Sequence, residues 1–376
     1  MKKLIFRKFL KDIFLSFLLL ISILSIIVWV IQAVNYLDFI SEDGHGFKVY
    51  FLYTLLNFPK IFSKLFLVSL FISLFYTVLK YEDNNELSIY WSIGISKFQF
   101  INKILIFSLI FIFIQLALTS YVSPKTQSIG KSFIRMSNID FFPSLIKEKT
   151  FIDTLSNLTI YVDEQSKDKK NFKNILIKDQ GKTNEEFQII IANEGSIVKK
   201  DDINFLILKN GEVFTTNNQK DFSNFKFENF ELNLSKFSTK TTTIPKIQEN
   251  KSSNIFKCYF NNINNKEIFY INQKELVCSK GSNKDIIQEI FKRFSLPFYI
   301  PAICLIACIL FLNDKFSRYY NFKKIMIFVS GFSLIFMSEI MIKYSGLNKI
   351  QDLAILISPI FIFLLIYVLL LKKSYR

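Results

Sequence analysis

Leu158-Thr159-Ile160-Tyr161-Val162-Asp163 alternates apolar and polar side chains, and three later stretches do the same: Phe172-Lys173-Asn174-Ile175-Leu176-Ile177, Phe187-Gln188-Ile189-Ile190-Ile191 and Ile203-Asn204-Phe205-Leu206-Ile207-Leu208. Alternation with a period of two, broken by Gly and Asn, predicts β-strands rather than helix. Turns are expected at Asp179-Gln180-Gly181, Asn193-Glu194-Gly195 and Lys209-Asn210-Gly211. About eight short, evenly spaced strands between Thr150 and Leu234 suit a sandwich or jelly roll. The same alternation predicts that Tyr161, Ile175, Ile177, Ile189, Ile191, Leu206 and Leu208 share one apolar face. Ser235 to Lys284, rich in Lys, Asn, Ser and Thr, reads as loop and short helix.

Working outward, three long apolar runs lie on each side of this insert. They are about Ile13–Val34, Ile61–Leu79 and Ile104–Val122 before it, and Leu296–Leu312, Ile325–Ile342 and Leu353–Leu371 after it. Each is about as long as the ~20 residues that cross a bilayer as helix. The chain therefore divides into a first membrane half (1–122), an extramembrane β-domain with its linker (123–285) and a second membrane half (286–376). Val49 to Phe58 reads as an interfacial segment before the second span. Ser123-Pro124 reads as the stop of the third, and Lys284 to Phe294 as a helical lead-in to the fourth. Pro297 and Pro301 fall near the start of the fourth span, where a missing N–H costs little. The first run has no small-residue cleavage site after it and reads as an uncleaved span.

A hydrophobic share of 51% in 376 residues fits a polytopic membrane protein. The formal net charge is +16. Lys, Asn, Ile and Phe are over-used together along the whole chain, and no basic patch with interleaved aromatics stands out, so nucleic acid is not expected as a partner. Lys and Arg concentrate at the N-terminus, in the loop with Lys80, Lys97 and Lys103, in the loop with Lys315, Arg318, Lys323 and Lys324, and at the C-terminus. That bias predicts both termini in the cytoplasm and the β-domain outside it.

Catalytic constellations are missing from the sequence. Ile129-Gly130-Lys131-Ser132 lacks the first Gly of a phosphate loop, which would fall at Lys125, and the single His45 leaves no His-based metal site. The chain is expected to need no cofactor or metal and to be no enzyme. Cys304 and Cys308 read as small membrane hydrophobes, while Cys258 and Cys278 could pair in an oxidising compartment or stay free.

Three polar features remain. In the loop Tyr81–Ser96, Asn85 can cap a short helix, Glu86 suits its first turn and Gly94 ends it. Leu87, Tyr90, Trp91 and Ile93 would form an apolar face that either lies on the bilayer or docks a cytosolic partner. Glu289 and Arg293, at i, i+4, read as a local ion pair or a functional one. Glu339 and Lys343, near the outer end of the fifth span, are costly unless they face a cavity, a partner or the interface. A cavity for an anionic amphiphile would use the Lys as a phosphate contact.

These residues carry a resemblance. Three spans, a β-rich domain and three more spans look like the lipopolysaccharide-export permease family, LptF/LptG. Asn85 through Ser96 resembles that family's cytoplasmic coupling helix, Ser123-Pro124 the small-Pro pair that closes its third span, and Glu289 through Pro297 its Glu-x-x-x-Arg-x-x-x-Pro approach to the fourth. The resemblance implies six transmembrane helices with a periplasmic β-jelly-roll domain, in the bacterial inner membrane. It implies a permease subunit of an ABC transporter that extracts lipopolysaccharide from the inner membrane and passes it to a periplasmic jelly-roll bridge protein toward the outer membrane. A paralogous permease and a cytoplasmic ATPase dimer would be its partners, and spacing suits the F-type paralogue slightly better. Glu86, Leu87, Tyr90, Trp91 and Gly94 would then serve ATPase coupling, and Lys343, Glu339, Ile175 and Ile189 lipid binding. One departure is the outer end of the first span, where Ala33, Asn35 and Tyr36 stand in place of basic residues. Permeases for another lipid or lipoprotein exporter, or a non-transporting membrane scaffold, are the alternatives; six spans and the Glu86–Ser96 pattern speak against both.

Overall fold

The computed structural model describes residues 2–37, 46–137, 146, 148–155, 158–166, 171–180, 187–200, 203–216, 222–233, 247–263, 283–312 and 318–374. It divides into two compact units. One holds Met1–Val30, Asn57–Ser128 and Lys246–Arg376; the other holds Ile31–Leu56 and Ile129–Pro245.

The first unit is helical. Helix α1 (Lys2–Asn35) is followed by α2 (Phe47–Leu56), which passes into the second unit's residues, then α3 (Phe58–Asp83), the short α4 (Glu86–Ser92) and α5 (Lys97–Ala117). A π-helical turn (Leu118–Val122) joins α5 to α6 (Ser123–Ser137). After the insert come α7 (Ser252–Ile263), α8 (Asn283–Phe294), α9 (Ile300–Cys308) between two 3-10 turns, α10 (Tyr320–Lys343) and α11 (Lys349–Ser374). Five helical stretches among the described residues are long and apolar enough to cross a membrane. A sixth is formed if α8 and Leu296–Leu312, bent by 43°, count as one span. Pro297 and Pro301 stand at the starts of their 3-10 and α turns, as expected.

The bent fourth span is the centre of the bundle. Ala302, Leu305, Ala307 and Cys308 are fully buried, and α9 packs against α3, α5, α10 and α11. Its small side chains let neighbouring helices approach closely, which drives packing where lipid is as apolar as Leu. Cys304 and Cys308 are buried free thiols within it. By contrast α1 buries one i, i+4 stripe, Phe9, Ile13, Phe17 and Ile21, and exposes Leu15, Leu19, Ile23 and Ile27. Phe9 sits edge-on to Tyr81 and Phe100, and Phe17 to Phe66 and Phe111.

The helix does not end at Ser123-Pro124; it runs on to Ser137. The physical reason is local. A proline at 124 offers no N–H to the carbonyl of Ser120, and that carbonyl accepts instead from the Ser252 hydroxyl, 2.5 Å away. The π turn just before absorbs the remaining misfit.

In the second unit six antiparallel strands form one sheet in the order β1-β2-β3-β4-β5-β6. They are β1 (Phe151–Leu155), β2 (Leu158–Gln165), β3 (Asn171–Gln180), β4 (Phe187–Lys200), β5 (Ile203–Thr216) and β6 (Phe222–Asn233). This is a meander, and among the described residues it lacks the crossed-over order expected of a jelly roll. Among the described residues the expected eight strands number six, because two expected turns, Asn193-Glu194-Gly195 and Lys209-Asn210-Gly211, lie inside β4 and β5. Asn174 and Asn210 both take φ of 50°, a left-handed conformation that Asn tolerates. At each, the inward phase slips: Phe172 and Ile175 are both buried, as are Leu208 and Val213, although each pair is an odd number of residues apart. The pairing register is unchanged across both positions. The buried face is continuous from Leu158, Ile160 and Val162 through Ile175, Ile177 and Ile190 to Leu206 and Leu208.

Candidate functional site

Helix α4 begins abruptly because α3 ends at Asn84 and the next residue reverses the chain. Asn85 has φ 57° and makes no side-chain cap, so it acts as a left-handed turn residue rather than the cap expected from sequence. Its short side chain tolerates that conformation where most would not. The C-terminus closes as the sequence predicts. Gly94 has φ 79°, its N–H donates to the Trp91 carbonyl (3.0 Å), and the Ile95 N–H donates to that of Tyr90 (3.2 Å). These are the two bonds of a Schellman motif, with Ile95 buried behind it. Ser96 then caps α5 by accepting from the Gln99 N–H.

The apolar face expected of α4 points into this chain's own bundle. Leu87 and Tyr90 are buried; Tyr90 stacks on Phe100, and Trp91 meets Phe100 and Phe311 edge-on. Ile89 and Ile93 are 54% and 48% exposed and make the outward apolar surface instead. Sequence reasoning passed over Ile89. A seven-residue helix with Leu87-Tyr90-Trp91 on one side and Ile89-Ile93 at i, i+4 on the other offers two stripes, and period alone does not rank them.

Glu86 accepts from Lys8 Nζ on α1 and from the Tyr90 hydroxyl, both at 3.2 Å. Burial, then the Glu86 charge, pushes the Tyr90 hydroxyl up to about 12, so it stays a neutral donor. Two further hydroxyl–carboxylate contacts tie this end of the bundle: Tyr81 donates to Asp12 (2.5 Å), and Tyr320 donates to Glu82. The N-terminus of α1, the α3–α4 turn and the start of α10 therefore lie at one end, as their shared basic character predicts.

At the other end of α3, about 39 Å along a 26-residue helix, lies a small open cleft of about 40 Å³. Lys60, Ser63 and Lys64 of α3, Thr119 of the π turn, Ser123, Pro124 and Gln127 of α6, Gln248, and Glu289 and Lys292 of α8 line it. Three ammonium groups outnumber the one carboxylate. That carboxylate is matched from behind, because Arg293 Nε donates to Glu289 Oε1 at 2.8 Å. The Arg293 guanidinium is buried and also donates to the carbonyls of Gln248 and Asn250 and to the Ser252 hydroxyl, each at 2.9 Å. Thr119 donates to the Arg293 carbonyl (2.9 Å). The Glu289–Arg293 pair is thus a buried clamp that holds the returning linker on the third and fourth spans. Among the described lining residues lysines outnumber carboxylates, a balance suited to a phosphate-bearing ligand.

The expected lipid-site residues are dispersed, and none of them lines the cleft. Glu339 and Lys343 have exposed side chains on α10 and do not line the cleft, although Glu339 is within electrostatic reach of Lys64. Ile175 is buried in the sheet core, but Ile189 lies on the opposite face. Ile177 pairs with Ile190 and Ile175 with Ala192, so it is Ile190 and Ala192 that point inward. The run Ile189-Ile190-Ile191 is apolar at every position, and its phase is set only by the register. Cys258 is disulfide-bonded; Cys278 lies outside the described residues.

A family profile described as "Lipopolysaccharide export system permease LptF/LptG" matches residues 7–373. No curated protein matches the chain.

Proposed function

The chain belongs to the LptF/LptG permease family of the lipopolysaccharide export system, and from that premise we propose how it works. It serves as a transmembrane subunit of an ABC transporter, beside a paralogous permease, in the bacterial inner membrane. Both termini are cytoplasmic and the β-sheet unit is periplasmic. A separate cytoplasmic ATPase dimer docks on α4 through Glu86 and the exposed Ile89 and Ile93. Lipopolysaccharide leaves the inner membrane past the basic cleft, with Lys343 adding charge near the same end of α10. It is handed by the β-domain to a periplasmic bridge protein.

One observation supports this reading most strongly. The fourth span runs from Glu289 and Lys292, which line the cleft, to Phe311, which meets Trp91 of α4. A push on α4 therefore reaches the cleft through a single, centrally buried element. The lipid phosphates suit Lys64 and Lys292, and the uphill step, about 0.8 kcal/mol for each buried CH₂ moved out of the bilayer, needs force from outside this chain.

Release of lipopolysaccharide from proteoliposomes by the assembled transporter tests it. Lys64→Glu combined with Lys292→Glu is expected to cut release at least about tenfold, on loss of two charge contacts, with ATPase assembly intact. Glu86→Lys is expected to weaken ATPase association or uncouple hydrolysis from release. Wild-type release by either variant would contradict the reading.

A further inference from the structure

We propose that the Tyr90 hydroxyl is a positioning residue that fixes the Glu86 carboxylate so that one oxygen faces a cationic side chain of the ATPase; this rests on the docking role proposed for α4. Lys8 Nζ and the Tyr90 hydroxyl both contact Oε2 of Glu86, each at 3.2 Å. Among the described residues Oε1 makes no hydrogen bond or ion pair, and the Glu86 side chain is 27% exposed.

Tyr90 is built to hold it. Its ring is buried, stacks on Phe100 with centroids 5.8 Å apart and planes at 15°, and lies near Tyr81. The hydroxyl is thus fixed by packing that does not depend on Glu86. The Lys8 side chain is 60% exposed, and an exposed ion pair alone orients little. Tyr90 follows Glu86 by one helical turn, i to i+4, so the contact stays within α4 and moves with it. A carboxylate fixed before docking loses less rotamer freedom on docking. It also prefers a guanidinium or ammonium approaching along one direction, which favours correct register over mere charge attraction.

The test is a double-mutant cycle in the complete transporter, with affinity read by titrating the purified cytoplasmic ATPase of the same export system against permease in nanodiscs. Tyr90→Phe keeps the ring and removes only the donor. In the Glu86 background it is expected to weaken binding about three- to tenfold, the scale of one hydrogen bond to a charged group. In the Glu86→Gln background it is expected to change nothing, because the oriented charge is already gone. An equal loss in both backgrounds would make Tyr90 a structural residue and overturn the proposal, as would no loss in either while Glu86→Gln itself weakens binding. If Glu86→Gln binds as wild type, the docking role of α4 fails first, and the proposal with it. Tyr90→Phe thermal unfolding, measured alongside, separates a folding defect from a lost orientation.

Discussion

Arg293 carries more structural weight than any other charged side chain in the described residues. It is buried, and one guanidinium satisfies Glu289, two carbonyls and a hydroxyl. Removing one partner of a buried ion pair leaves the other uncompensated, at a cost of about 3–5 kcal/mol. Arg293→Ala is therefore expected to lower the thermal unfolding temperature of the purified protein by several degrees. Arg293→Lys is expected to recover only part of the loss, because an ammonium lacks the planar fork. An unchanged melting curve for Arg293→Ala would remove the clamp from the account. Its i, i+4 pairing with Glu289 was legible in the sequence. Its burial was not, because the linker carbonyls it satisfies come from residues more than forty positions away, at Gln248 and Asn250.

Among elements, the helices were the most legible, since long apolar runs leave little choice in a bilayer. Helix α2, the lead-in α8 and the Gly94 stop all follow from local signals. The strands were legible in kind and misleading in number and phase. Gly and Asn at 193–195 and 209–211 lie inside β4 and β5 rather than in turns, and the same composition in sequence marks a hairpin. The phase correction has a measurable consequence. Ile175→Ala opens a cavity in the sheet core and is expected to cost about 2–5 kcal/mol. Ile189→Ala, on the other face, is expected to cost under about 1 kcal/mol. Chemical denaturation monitored by a probe in the β-domain separates them, and equal costs would contradict the register. Gly94 offers a second check. A Cβ there meets nothing within 4 Å, so Gly94→Ala isolates the backbone term. It is expected to destabilise the α4 stop by about 1 kcal/mol, read as faster hydrogen exchange at Gly94 and Ile95.

At the scale of the molecule, five to six apolar spans and an antiparallel sheet, among the described residues, were readable from hydropathy and alternation together. The candidate site was only partly readable. Glu86 stood out as an acid at a helix start, but the outward Ile89 and the cleft lysines did not. Lys60, Lys64 and Lys292 are spread over more than two hundred residues of a chain rich in lysine, and only the fold brings them together. Lys343, singled out from its place at the end of a span, lies outside that cleft. The proposed mechanism makes the fourth span the link between α4 and the cleft. A photo-crosslinking residue at Lys64, in proteoliposomes containing lipopolysaccharide and the assembled transporter, tests that link most directly. The account predicts that the lipid crosslinks there without ATP, that ATP clears the crosslink in the wild-type background, and that Glu86→Lys leaves the crosslink in place with ATP present. Clearance by ATP that is unaffected by Glu86→Lys, or no lipid crosslink at Lys64 at all, would contradict it.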